Sequence, residues 1–307
     1  MRFRHLLIAV AILAVDVLLV PASGLAQSTA QHQVSAESFV NIGTSFEFQS
    51  GVMESVREIN VRVPASYSST DQGYNVLYVI DGGLEQDFLH IAGLAQLASV
   101  NLDYEELIVV GIRTENRFME LTHEPQDPRY VEDPPRTGKS EQFYRHLTEE
   151  VVALVESRFR VGDRKALVGE SLAGLFVAEV FLTHPHSFTD YICISPSLWW
   201  DDRALARRSA TLLAGHDETQ RRLYLTMANE GGTMQDGLDR LIESLKSNSP
   251  AGLDWHFVDR SLTHTHATIY HPAVHDALNH LFDTPHPEPT ETPWYLIEGG
   301  QPPELDR

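Results

Sequence analysis

The most restrictive feature of the chain is an alternation. From residue 166 onward, short apolar runs take turns with helix-patterned stretches. Ala166-Leu167-Val168, Tyr191 to Ile194, Leu223 to Met227 and Trp255 to Val258 read as strands. Helical patterning follows Ser171, covers 204–214 and 236–246, and resumes after Pro272. In 236–246, Leu238, Leu241, Ile242 and Leu245 fall on one helix face. Strand–helix alternation at this spacing predicts an α/β fold with a mostly parallel central sheet flanked by helices.

The first half extends the pattern. Val76-Leu77-Tyr78-Val79-Ile80 and Leu107 to Ile112 are apolar throughout, as strands buried on both faces must be. Phe46 to Val63 alternates on either side of Gly51 and predicts an N-terminal antiparallel strand pair. Ser140 to Phe159 predicts a helix. Phe143, Leu147, Val151, Leu154 and Val155 share one face, and Ser140 is placed as its N-cap.

The two ends differ from this body. Arg2, Arg4 and His5 precede an apolar stretch from Leu6 to Val20, interrupted only by Asp16. Pro21 and Gly24-Leu25-Ala26 then supply a break and a small-residue cleavage site. Residues 1–26 therefore read as a secretory signal, and the expectation is export to the periplasm or the cell exterior. Residues 27–283 are expected to form a single α/β domain. Residues 284–307 hold Pro285, Pro287, Pro289, Pro293, Pro302 and Pro303 and predict an extended tail. Trp294-Tyr295-Leu296-Ile297 within it is expected to dock on the body.

Composition excludes several partner classes. With 43 acidic against 23 basic residues the net charge is −20, which disfavours nucleic acid and anionic membrane. No apolar run is long enough to span a bilayer, so no stable membrane insertion is expected after signal removal. The lone Cys193 excludes an internal disulfide and a cysteine-rich zinc site; between Ile192 and Ile194 it reads as a small core residue. His264 and His266, and His271 and His275, have metal-ligand spacing. No carboxylate motif accompanies them in sequence, and the expectation is neither metal nor cofactor. Arg113, Arg117, Arg129, Arg136 and Lys139 alternate with acidic residues and describe a solvated loop rather than an anion site. The sequence does not specify the oligomeric state.

The chemistry concentrates in Gly169-Glu170-Ser171-Leu172-Ala173-Gly174, between a buried strand and a helix. A nucleophile elbow needs this arrangement, because a serine on a sharp strand-to-helix turn tolerates only small neighbours two places away. A serine hydroxyl also needs a base, and the base an orienting acid. In such sheets these follow in the order serine, acid, histidine, on loops at strand carboxyl ends. Asn229-Glu230-Gly231-Gly232 and Leu262 to Thr268 are the eligible loops. Glu230 is assigned as the acid and His266 as the base. Asp236, which also reads as a helix N-cap, and His264 are the alternatives.

Together these segments resemble the putative-esterase family of α/β-hydrolases, which includes siderophore esterases, S-formylglutathione hydrolases and mycolyltransferase antigens. The resemblance runs through Leu77 to Gly82, Asn116-Arg117 with Glu120-Leu121-Thr122, and the long helix ending near Arg158-Phe159-Arg160. It continues through the elbow, Ile194-Ser195-Pro196-Ser197-Leu198-Trp199-Trp200-Asp201, and Thr265-His266-Ala267-Thr268-Ile269. Glu170 stands where the family often has His, and Ala267 where it often has Gly. The resemblance implies the α/β-hydrolase fold and ester hydrolysis through an acyl-enzyme on Ser171, with His266 as base. It also implies an oxyanion hole from the backbone N–H groups of Gly83 and Leu172. Arg117, Trp199 and Trp200 are candidates for the substrate pocket, Trp199 and Trp200 equally for core packing. The expected partner is a small-molecule ester. Acyl transfer to an alcohol, and a non-catalytic binding role on the same fold, are the alternative functions.

Overall fold

A computed structural model of the chain describes residues 36–101, 103–132, 135–284 and 292–302. The expected signal over 1–26 lies outside the described residues. The described residues from 41 onward belong to one compact unit.

Eight strands build one sheet: β1 (Thr44–Ser50), β2 (Ser55–Arg62), β3 (Tyr74–Ile80), β4 (Ile108–Ile112), β5 (Val161–Glu170), β6 (Asp190–Ile194), β7 (Arg221–Met227) and β8 (Leu253–Asp259). Their order is β1-β2-β4-β3-β5-β6-β7-β8. The β1–β2 and β2–β4 pairs are antiparallel, and every pair from β4 to β8 is parallel. This is the expected fold class, with the antiparallel pair formed about Gly51.

The helices are α1 (Phe88–Asn101), α2 (Arg117–Leu121), α3 (Ser140–Arg145), α4 (Ala153–Arg158), α5 (Leu172–Thr183), α6 (Trp200–Leu213), α7 (Gly232–Asn248) and α8 (Tyr270–Leu281). They cover both faces, and alternation within a strand divides the core accordingly. Val76, Tyr78 and Ile80 point to the side packed by α3 to α7, where Phe143, Leu175, Phe176 and Leu238 are buried. Leu77 and Val79 point to the side packed by α1 and α8, where Ile91, Ala95, Val274 and Leu278 are buried.

Several local expectations are corrected. The helix over 140–158 is not uniformly α, because a π-helical stretch over His146–Val152 joins α3 to α4. Ser140 is its first helical residue and not a capping one; Lys139 precedes it. Asp236 lies inside α7 rather than at its start, because Gly231 and Gly232 take positive φ and let the helix begin earlier. The start of α6 carries Asp201, Asp202 and Arg203 in the left-handed region. Trp294, Tyr295, Leu296 and Ile297 are exposed instead of docked, so the tail gains little from burial there. No helix among the described residues is long and apolar enough to cross a membrane.

Candidate active site

Three strands of the parallel sheet end in residues forced to positive φ: Asp81 after β3, Ser171 after β5 and Ser195 after β6. Left-handed backbone costs an L-residue about 1 kcal/mol or more, and such strain gathers where function needs a side chain aimed. Ser171 has φ 61° and ψ −117° and stands between β5 and α5. Its N–H donates to the Ile194 carbonyl at 3.0 Å. Its carbonyl receives the N–H of Ser197 at 2.9 Å and of Leu175 at 2.9 Å. The turn is thus clamped to the end of the neighbouring strand.

The small residues of the elbow are explained by crowding. A Cβ on Gly169 would lie 2.7 Å from the Cβ of Ala173 and 2.5 Å from its carbonyl carbon. The methyl of Ala173 is therefore accommodated by Gly169. Gly174 answers a different neighbour: a Cβ there would meet the Ile194 carbonyl oxygen at 2.8 Å.

Glu230 and His266 come from the loops after β7 and β8, and the Asn229 N–H donates across to the His264 carbonyl at 3.2 Å. His266 Nδ1 lies 2.7 Å from Glu230 Oε1. The Glu230 side chain is 9% exposed and that of His266 is 42% exposed, so the acid is buried and the imidazole reaches solvent. A carboxylate on Nδ1 leaves Nε2 as the atom available to a hydroxyl. His264 instead contacts Thr263 Oγ1 at 2.8 Å, and Asp236 pairs with Arg203 at 3.0 Å and Arg240 at 3.4 Å. Neither alternative forms an acid–imidazole pair. Ser171 Oγ has Ser197 Oγ as its neighbour at 3.3 Å, and no Ser171–His266 hydrogen bond forms among the described residues.

The two expected oxyanion donors differ in state. Leu172 opens α5, so its N–H precedes the helix's own ladder, which begins with Leu175. The Gly83 N–H is occupied: it donates to Gln86 Oε1 at 2.9 Å. The Gln86 amide is itself held, because Nε2 donates to the Thr114 carbonyl and Oγ1, both at 3.0 Å.

Arg117 lies beside the elbow. Its Nε donates to Asp81 Oδ2 at 2.7 Å, and Nη2 reaches the Glu170 carbonyl at 3.5 Å. Asp81 also accepts from Thr114 Oγ1. Burial pushes the Asp81 carboxyl up, against the pull of Arg117 and Thr114. Glu170 is pushed to about 7, chiefly by burial; His266 and Arg117 oppose the rise, and Asp87 and Glu230 add to it. A carboxyl titrating near neutrality therefore directly precedes the serine.

Trp200 is 4% exposed and donates Nε1–H to the His123 carbonyl at 3.1 Å, which makes it core. Trp199 is half-buried and stacks with Tyr130. In the cationic loop, Arg113 pairs with Glu85 and Glu115, Arg129 with Asp127 and Arg136 with Glu132. Sequence reasoning missed Ser197 and Gln86 as neighbours of the site. The Ser-Pro-Ser motif was the available signal for the first. The spaced histidines are not brought together as ligand pairs: His266 goes to Glu230, and the His275 ring packs against Tyr104. One other group of potential ligands, Asp87, His90 and His271, does converge.

Known proteins with similar sequence or fold include esterases. Among curated proteins, the ferri-bacillibactin esterase BesA of Bacillus subtilis (strain 168) is 24% identical over 211 residues, 62% of this chain and 72% of BesA. The siderophore enterobactin esterase of Emericella nidulans is 33% identical over 94 residues, about 30% of each chain. Among solved structures, the IroE-like serine hydrolase of Shewanella oneidensis is 26% identical with a TM-score of 0.71, covering 78% of this chain and 80% of that one. Residues 50–277 match the family model Esterase, described as Putative esterase, and the chain belongs to that family of carboxylic ester hydrolases.

Proposed function

We propose that the chain hydrolyses its ester through an acyl-enzyme on Ser171, with His266 as base and Glu230 as its orienting acid. The observation that carries this reading is the 2.7 Å Glu230–His266 contact in the loops beside an elbow serine at φ 61°. His266 Nε2 takes the Ser171 proton as Oγ attacks the ester carbonyl carbon. The imidazolium then gives that proton to the departing alkoxide, and a second cycle with water releases the acid. Glu230 holds the Nδ1–H tautomer and stabilises the imidazolium. The Leu172 N–H supports the oxyanion, joined by the Gly83 N–H once the Gln86 carbonyl yields it.

The proposed substrate class is a siderophore-type ester, on the strength of the siderophore esterases among the relatives. The pairing of Arg113, Arg117, Arg129 and Arg136 with carboxylates, together with the net charge of −20, favours neutral or iron-free forms over a trianionic ferric complex. Export, read from residues 1–26, belongs to the same proposal. Side-by-side hydrolysis of an iron-free and a ferric tricatecholate lactone tests the substrate reading. Faster cleavage of the iron-free form supports it, and a preference for the ferric form rejects it. Ser171→Ala, expected to abolish cleavage of either form, tests the mechanism separately.

A further inference from the structure

On the face of the sheet opposite α5, two helices begin side by side. Asp87 directly precedes α1, His90 lies in its first turn, and His271 lies in the first turn of α8. Asp87 Oδ1 is 3.5 Å from His90 Nδ1 and 3.4 Å from His271 Nε2. All three potential ligand atoms lie within 4.8 Å of one another. The two imidazole rings meet edge to face, with centroids 4.6 Å apart. His271 Nε2 is buried and has no hydrogen-bond partner among the described residues. The Asp87 carboxylate has these two imidazoles as its ion-pair partners, so a cation would take the place of contacts made within the cluster.

We propose that Asp87, His90 and His271 form a binding site for a divalent transition metal of the zinc class, joining the first turns of α1 and α8 beside the esterase site. Zinc binds nitrogen and oxygen at about 2.0–2.2 Å, which puts tetrahedral ligand atoms roughly 3.3–3.5 Å apart. The two measured separations from Asp87 already match. The remaining histidine-to-histidine distance closes by rotation of the His90 ring, whose side chain is 61% exposed and free to turn. Two imidazoles with one carboxylate suit zinc and its neighbours; calcium and magnesium prefer all-oxygen sets. Three protein ligands leave a fourth position for water or for an oxygen donor of a substrate.

The site's place in the fold gives it a consequence. The Asp87 N–H donates to the Asp81 carbonyl at 2.9 Å, and Asp81 holds Arg117 beside the elbow. His271 follows His266 closely along the chain, at the start of the helix that their shared loop enters. A cation here would fasten that loop to α1.

The test is titration of the full chain, without an affinity tag and stripped by chelator, with zinc chloride in a calorimeter. Metal content after dialysis and thermal melting are read in parallel. One equivalent should bind saturably at micromolar zinc and raise the Tm. His90→Ala, at the exposed member, should weaken binding roughly 100-fold or more, since even groups that only orient a ligand are worth about 10- to 100-fold. His271→Ala should do the same. His256→Ala, which disturbs the stacked His256–His280 pair, should leave the binding intact. Absence of saturable binding, binding unchanged by His90→Ala and His271→Ala, or loss only in His256→Ala would overturn the proposal.

Discussion

Glu230 and His266 sit on loops that leave adjacent strands, β7 and β8, and their side chains meet at 2.7 Å through Nδ1. The carboxylate is almost fully buried while the imidazole is half-exposed. The acid therefore has one partner to serve, and its other oxygen, Oε2, has none among the described residues.

Glu230→Gln keeps the shape but removes the charge that favours the productive tautomer and the imidazolium. kcat should fall by about 1000-fold or more. Asp236→Asn should leave kcat within about twofold, because Asp236 serves only partly exposed ion pairs with Arg203 and Arg240. Steady-state kinetics of the two variants on one activated ester decides the assignment; the reverse order would move the acid to α7.

Glu170 makes stability depend on pH in a defined direction. Its carboxyl is raised to about 7, mainly by burial. Between the ordinary glutamate value and about 7, the folded protein keeps a proton that the unfolded chain has lost. Stability from this group is therefore full at low pH and declines as pH rises through about 7. Glu170→Gln should melt close to the wild type at pH 5 and above it at pH 8. The gain at pH 8 should be about 1–2 kcal/mol, allowing for partial exposure. A variant that loses stability on going from pH 5 to pH 8 relative to wild type would contradict the burial argument.

Arg57 and Glu120 form a buried bidentate pair, with contacts at 2.8 and 3.0 Å and side chains 2% and 6% exposed. Glu120 also accepts the Glu115 N–H at 3.1 Å, fixing the entry to α2, the helix that carries Arg117. Glu120→Ala leaves the guanidinium buried without its partner and should cost about 3–5 kcal/mol in chemical denaturation. A loss below about 1 kcal/mol would mean that water reaches Arg57.

The sheet was legible because β3, β4, β6 and β7 each hold an apolar run, Val76–Ile80, Ile108–Ile112, Tyr191–Ile194 and Leu223–Leu225, as doubly covered strands require. The elbow was legible because its steric rule is local. Helix starts were not: that of α7 depends on two glycines at positive φ, and that of α6 on a left-handed run at 201–203. The α1 helix escaped notice because the core it faces takes small residues, Ala92, Ala95 and Ala98, which leave a weak periodic signal. Engagement of the Gly83 amide by Gln86 is a local turn contact that depends on side-chain conformation, and the approach of His271 to Asp87 and His90 is a tertiary event. No spacing in the chain announces them.

The central claim is that Ser171 carries the acyl group. Labelling with a fluorophosphonate, followed by intact and peptide mass spectrometry, tests it most directly. One phosphonyl adduct should appear on the peptide containing Ser171, in step with loss of esterase activity. It should be absent from Ser171→Ala and slowed by about 100-fold or more in His266→Ala. An adduct on Ser197 or another serine, or ester hydrolysis at the wild-type rate in Ser171→Ala, would contradict the account.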